Sequence, residues 1–243
     1  ASCVPVVDLT EPDMRAMFRL HAAAYVSDEA TFRSDLAGKS WVIRLFNGEG
    51  RLCGFSTIVL WHHDLGAGKI NVVFAGDTIV DPQYWGRREL LMKLLEVTGA
   101  LHARHPDTPL YWLLTSMHPR TYRAMPLFYQ RFFPNWEVED AELKLIAHQV
   151  ARWRFGDRFI ASRGIVVGEG PLKTPLAKIS PRNMRRVDVR FFVERNPGYA
   201  AGDELVCLAR LDAANHKPPA RRFFLRGAAL ALGGEHLRLS AAE

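Results

Sequence analysis

KINVVFAGDTIVDPQYWGRRELLMKLL, residues Lys69–Leu95, decides the fold. An apolar β-type run over Ile70–Val80 meets a turn holding Pro82, Gly86 and two arginines. An amphipathic helix follows, with Leu90, Leu91, Leu94, Leu95 and Leu101 on one face. A strand that delivers such a turn onto a helix N-terminus is suited to holding phosphate. The first backbone N–H groups there are unpaired, and the helix dipole favours negative charge.

Working outward, Val4–Asp8 reads as a short strand. Thr10 caps a helix, with Pro12 in its first turn and Asp13 at the capping-box position. Met14, Met17, Phe18, His21 and Tyr25 follow at helical spacing. Trp41–Phe46 and Leu52–Trp61 form a hairpin about Asn47-Gly48-Glu49-Gly50. Leu110–Ser116 is a further strand, and Thr121–Phe133 reads as a helix ended or kinked at Pro126. Leu143, Ile146, Val150 and Trp153 mark another amphipathic helix, and Gly164–Ser180 reads as loop. Val187–Glu194 and Glu204–Leu211 read as a closing hairpin, before an apolar segment around Phe223–Leu232. The order predicts an α/β fold with a mixed, mostly antiparallel sheet flanked by helices. The expectation is one domain over 1–243, with helix and loop inserted at about 140–180.

Composition narrows the function classes. Hydrophobic residues make up 48% and charged residues 24%, as in soluble globular proteins. No apolar run approaches the roughly 20 residues that span a bilayer. Cys3, Cys53 and Cys207 lack metal-ligand spacing, and no secretory pattern opens the chain, so a cytoplasmic protein with reduced thiols is expected. Net charge is +6, and Ala151–Ala200 carries 11 Lys/Arg against 4 Asp/Glu, leaving about −1 for the rest. Such a segment suits an anionic partner or is a solvated arginine-rich surface. Nucleic acid is not expected: Arg152-Trp153-Arg154 is one triplet without further aromatic interleaving.

The turn from Val80 to Leu90 resembles the pyrophosphate turn of the GNAT acyltransferase superfamily, which reads V-x-P-x-Y-R-G-x-G-x-G. Val80, Pro82, Tyr84 and Gly86 match. Trp85 stands where the motif opens with Arg or Gln, and Arg88 and Leu90 replace its two later glycines. Met125–Pro134 is similar to a second family segment, A-x-x-x-Y-x-x-x-G-F, in its tyrosine alone, Tyr129. Element order extends the resemblance over about Val4–Pro134 and the late hairpin. Relatives with extra helical elements, such as N-acyl amino acid synthases and acyl-homoserine lactone synthases, take acyl chains from acyl carrier protein.

The resemblance implies transfer of an acyl group from acyl-CoA or acyl-phosphopantetheine to an amine or similar small-molecule acceptor, without a metal. Strand Ile70–Val80, through Ile79 and Val80, would hydrogen-bond the pantetheine amides. Trp85, Gly86, Arg87 and Arg88 would take the phosphate; the arginine forks suit bidentate contacts. Tyr129 would protonate the leaving thiolate, unless it is a helix aromatic beside Phe128, Phe132 and Phe133. Asp77 breaks an apolar strand, so it is either a base of raised pKa or a solvent-facing carboxylate. Ser116 and His118, at the end of the Leu110–Ser116 strand, lie where acceptors sit in this architecture. His62-His63-Asp64 reads as a polar hairpin tip, because adjacent strand residues face opposite ways. Two hypotheses stand: an acyltransferase using CoA or an acyl carrier protein, and a non-catalytic GNAT-shaped binding or scaffold protein with a degenerate CoA motif.

Overall fold

In the computed structural model, residues 1–168 and 178–233 are described. Part of the expected Gly164–Ser180 loop, 169–177, lies outside them. Among the described residues one sheet of eight strands runs in the order β1-β2-β3-β4-β5-β8-β7-β6. The strands are β1 (Ser2–Pro5), β2 (Trp41–Phe46), β3 (Leu52–Asp64), β4 (Lys69–Val80), β5 (Leu110–Ser116), β6 (Phe159–Ile160), β7 (Ile165–Val166) and β8 (Glu204–Arg210). All pairings are antiparallel except β4 with β5, so the mixed, mostly antiparallel α/β fold expected from the sequence is present.

Two helices, α1 (Glu11–Ala24) and α2 (Glu29–Ala37), cover one face over β2–β4. The capping box expected at Thr10 forms: Asp13 N–H donates to Thr10 Oγ1 at 3.3 Å and Thr10 N–H to Asp13 Oδ2 at 3.1 Å. Helix α6 (Ala141–Phe155) covers the same face farther along, over Ile70, Val72, Tyr111, Leu113, Val206 and Leu208. The opposite face carries α3 (Glu89–Arg104), α4 (Pro119–Tyr122), α5 (Ala124–Phe128) and α9 (Pro218–Leu232), with α7 (Pro181–Met184) and α8 (Val187–Arg195) beyond them. Helices α3 and α9 meet at two glycines. A Cβ on Gly99 would stand 1.9 Å from the Phe224 carbonyl oxygen, and one on Gly227 would stand 1.8 Å from that of Glu96. The two backbones therefore touch, and only glycine fits at these two positions.

Three expectations are corrected. Val187–Glu194 is not the first arm of a hairpin: it lies in α8. A strand would put Val187, Val189, Phe191 and Val193 on one face, yet Val187 is 48% exposed while Val189 and Phe192 are buried, a helical interval. Strand β8 instead slots between β5 and β7. The helix expected over Thr121–Phe133 is broken into α4 and α5 and ends at Phe128, because Tyr129 leaves it to bridge His216 in extended backbone. Val4–Asp8 is also shorter as a strand, with Val6–Asp8 forming a 3-10 turn.

Candidate active site

Strands β4 and β5 pair only from Asn71–Leu110 to Phe74–Leu113. Beyond that point β4 stays with β3, and β5 stays with β8. The parallel pair therefore opens like a V, and the β5-facing edge of Ala75–Val80 has no ladder partner among the described residues. The opening coincides with a bulge. Gly54 faces Val80 and Thr57 faces Gly76, so three steps on β3 match four on β4. The extra residue bends and twists the strand. Asp77 occupies it at φ 43°, a left-handed conformation that non-glycine residues rarely adopt outside functional or otherwise over-determined sites.

A cleft of about 810 Å³ fills the V on the face between α1–α2 and the C-terminal end of α6. Asp77 lies in it with Asp35 of α2 and Lys39, just beyond that helix. The Lys39 ammonium sits 2.9 Å from Asp35 Oδ1 and 3.9 Å from Asp77 Oδ2, and Thr57 Oγ1 donates to Asp77 Oδ2 at 3.2 Å. Burial pushes the Asp77 carboxyl up to about 6. Lys39 opposes that rise, and the neighbouring Asp35 carboxyl adds to it. Such a group is ionised at neutral pH yet basic enough to take a proton. Tyr25, the residue that ends α1, also lines the cleft. Burial holds its phenol well above the usual range, and the charges of Asp77 and Glu204 add to the effect.

At the far end of β4 the chain turns through Pro82–Tyr84, and Gly86 takes φ 96° before α3 begins. Trp85 folds back so that its Nε1 donates to the Val80 carbonyl at 2.9 Å. The Arg120 guanidinium lies over the Trp85 ring, 3.6 Å from its centre. Arg87 is turned to Glu89, with Nε and Nη2 at 2.8 and 2.6 Å from Oε1. Glu89 thus places a carboxylate in the first turn of α3, where an anionic ligand would otherwise meet the helix. Arg88 is the N-cap residue and makes no side-chain capping bond.

The fold is similar to that of solved N-acyltransferases. The chain matches a probable N-acyltransferase from Enterococcus faecalis at 15% identity and TM-score 0.40, over 51% of this chain and 31% of that one. It matches a GNAT family N-acetyltransferase, YhbS, from Escherichia coli in complex with CoA at 17% identity and TM-score 0.37, over 50% of this chain and 65% of that one. It matches the ribosomal-protein-S18-alanine N-acetyltransferase of Escherichia coli at 12% identity and TM-score 0.39, over 87% and 94%. The chain thus spans less than two thirds of the first two proteins. No protein-family model and no curated protein matches it.

The cleft gathers Asp77, Ile79, Val80, Trp85 and His118 from among the residues singled out in the sequence. It does not gather the others. Gly86, Arg87 and Arg88 stand outside its lining. Tyr129 is 1% exposed and packs against Trp112 and His216, away from the cleft. Ser116 is buried, and its hydroxyl donates to the His118 carbonyl at 2.9 Å; its neighbour Thr115 faces the cleft instead. His118 Nδ1 accepts the Arg120 N–H at 3.1 Å and so caps α4. Burial, with Arg120 alongside, lowers its pKa to about 4, which leaves the ring neutral at physiological pH. The sequence reading passed over Tyr25, Lys39 and Arg120. Tyr25 continued an apolar helical face, and nothing in their spacing predicts that three distant elements deliver them to one cleft. His62 and His63 sit near the end of β3, as expected, with His62 Nδ1 2.6 Å from Asn71 Oδ1. Among the described residues no helix is long and apolar enough to cross a membrane.

Proposed function

We propose that the chain, as one GNAT-like domain, transfers an acyl group from a pantetheine thioester to an amine. One observation carries this: the V between β4 and β5, with its free β4 edge running from the Asp77 bulge to the turn before α3. An extended pantetheine arm carries two amides, and an unpaired strand edge offers them backbone donors and acceptors at strand spacing. Ile79 and Val80 supply that edge. Gly86, Arg88 and the first turn of α3 receive the phosphate end.

Chemistry follows from the cleft's titrating groups. Asp77 removes a proton from the acceptor ammonium, or from the amine as it attacks the thioester carbonyl. The new C–N bond forms, the C–S bond breaks, and the leaving thiolate takes a proton. Tyr25 supplies that proton, because its phenol stays protonated and lines the cleft, whereas Tyr129 is sealed off from it. The acidic wall of Asp28, Asp35 and Asp77 suits a cationic acceptor.

The donor is a phosphopantetheine thioester, free as acyl-CoA or held by an acyl carrier protein. The carrier form is supported by the basic segment, where Arg182 on α7 and Arg185 just after it are exposed, although Arg186 is turned to Asp188 at 3.0 Å. Mixing acyl-CoA or acyl carrier protein with a panel of amines, with thiol release as the readout, tests the proposal. Release that depends on an amine is expected. Its absence with both donors, together with no thermal stabilisation by either, would defeat it.

A second reading, a GNAT-shaped binding protein without catalysis, is favoured by the way Glu89 and Trp85 already occupy the α3 mouth and the Val80 carbonyl. Under that reading ligands stabilise the fold and no thiol is released.

A further inference from the structure

Several arginines of this protein are neutralised by carboxylates. Arg33 meets Glu11 and Glu29, Arg44 meets Asp13, Arg87 meets Glu89, Arg131 meets Asp140, and Arg186 meets Asp188. Arg120 differs. Among the described residues it makes no ion pair, and what it touches is the Trp85 ring. The residue is exposed in the cleft wall, and no carboxylate meets it among the described residues. A guanidinium held on a ring in a cleft wall, without a carboxylate partner among the described residues, keeps its charge for an anion that enters the cleft.

Its position says which anion. Arg120 reaches from the β5 side of the V, and Trp85 from the β4 side, one residue before Gly86. The pair closes across the opening at its α3 end. Each side is held: the Trp85 ring donates its Nε1–H to the Val80 carbonyl, and the Arg120 backbone N–H donates to His118 Nδ1. The ring fixes one face of the guanidinium plane and leaves its edge N–H groups free for a bidentate acceptor. Arg87, the arginine that sequence position favours for this duty, is held by Glu89.

We propose that Arg120, laid on Trp85, is the phosphate-binding cation of the donor site and the residue that makes the site prefer phosphorylated donors. The inference rests on the acyl-transfer reading for the donor's identity. The phosphate ester occurs both in CoA and in carrier-bound phosphopantetheine, and Arg120 serves the chemistry they share.

Calorimetric titration of the full chain with pantetheine, 4′-phosphopantetheine, CoA, a holo-carrier protein and inorganic pyrophosphate tests this, in wild type, Arg120→Gln and Arg120→Lys. We expect phosphopantetheine to bind roughly tenfold tighter than pantetheine in the wild type. Arg120→Gln brings the two within about twofold and leaves pantetheine itself unchanged. Arg120→Lys restores part of the preference by charge alone. CoA against the holo-carrier protein then separates the two sources. An unchanged preference in Arg120→Gln, or none in the wild type, overturns the proposal. If no pantetheine species binds but pyrophosphate does, and Arg120→Gln abolishes it, the anion site stands and the acyl-transfer reading falls. If pyrophosphate also fails to bind, both fall.

Discussion

The two faces of the sheet solve opposite problems. On one, α3 and α9 press together until backbone meets backbone at Gly99 and Gly227, and Glu96 is buried with Lys93 at 2.7 Å and Arg226 beside it. Every polar group named there has a partner, and at the two glycines there is no room for a Cβ. On the other, α1–α2 and α6 stand apart over the V. That face keeps a left-handed aspartate, a carboxyl of raised pKa and an arginine with an aromatic ring for its partner. The first arrangement holds the sheet's shape. The second holds a strained backbone and a carboxyl of raised pKa at an open cleft, which is how sites for ligands are made.

The largest expected effect tests the closed face. Gly99→Val places two branches where even a Cβ would stand 1.9 Å from the Phe224 carbonyl. Backbone cannot yield as a side-chain end can, so α3 and α9 must separate. A loss of about 3 kcal/mol or more is expected, and a drop in Tm of roughly 6–12 °C. A melting curve unchanged from the wild type would show that the helices are not in backbone contact.

Next comes Asp77→Asn, on the open face. Asparagine tolerates the left-handed backbone, so the fold should persist. Thiol release should fall by roughly a hundredfold, within the range for losing a general base. In the wild type kcat/KM should rise with pH through about 6 and then level off, and Asp77→Asn should lose that step. Stability runs the other way. The native carboxyl binds its proton more tightly than the unfolded one, its pKa raised from 3.8 to about 6. Between those values the native state holds more protons, so stability falls as pH rises through the window. The loss is at most about 3 kcal/mol at 1.4 kcal/mol per unit. Asp77→Asn should be flat there; equal slopes in both proteins would remove Asp77 from the account.

Tyr25→Phe should act more weakly. Water can protonate a thiolate in an open cleft, so a fall of roughly ten- to fiftyfold in turnover is expected, with donor affinity held within twofold. Tyr129→Phe provides the contrast: turnover should be unchanged, since that phenol is 1% exposed and outside the cleft. The reverse pattern would move the acid back to Tyr129.

How much of this was legible depends on range. The Thr10–Asp13 capping box, the Asn47–Gly50 turn and the β4–turn–α3 unit are local, set by residues within a few positions, and each forms as expected. Asp77 was visible as a polar break in an apolar strand; its bulge was not, because register is a property of two strands. Val187–Arg195 misled because its valines suit a strand, while the buried pair Val189 and Phe192 obeys helical spacing that tertiary packing selected. Tyr129 misled for a related reason. Its helix stops one residue earlier, and the bridge to His216 turns the ring toward Trp112. The Arg120–Trp85 pair is a contact across the V, and no spacing within the chain announces it.

The smallest expected effect separates sequence position from structure most sharply. Arg87 holds the motif place and Arg120 does not, so a reading from position alone makes Arg87→Ala the damaging change. The geometry says otherwise. The Arg87 Nε and Nη2 are both committed to Glu89, and a phosphate could recruit them only by displacing that carboxylate. Removing the arginine also frees Glu89 to stay at the helix N-terminus, where the dipole favours it. Arg87→Ala should therefore change CoA affinity by less than about twofold, an effect of the size exposed pairs give. Glu89→Gln should raise it by roughly threefold at low salt, since it releases Arg87 and clears negative charge from the first turn of α3. That gain should shrink at 1 M salt, where the screening length is about 3 Å. A large loss in Arg87→Ala, with no gain in Glu89→Gln, would mean that the carboxylate yields readily, and the α3 mouth would then be as open as the cleft beside it.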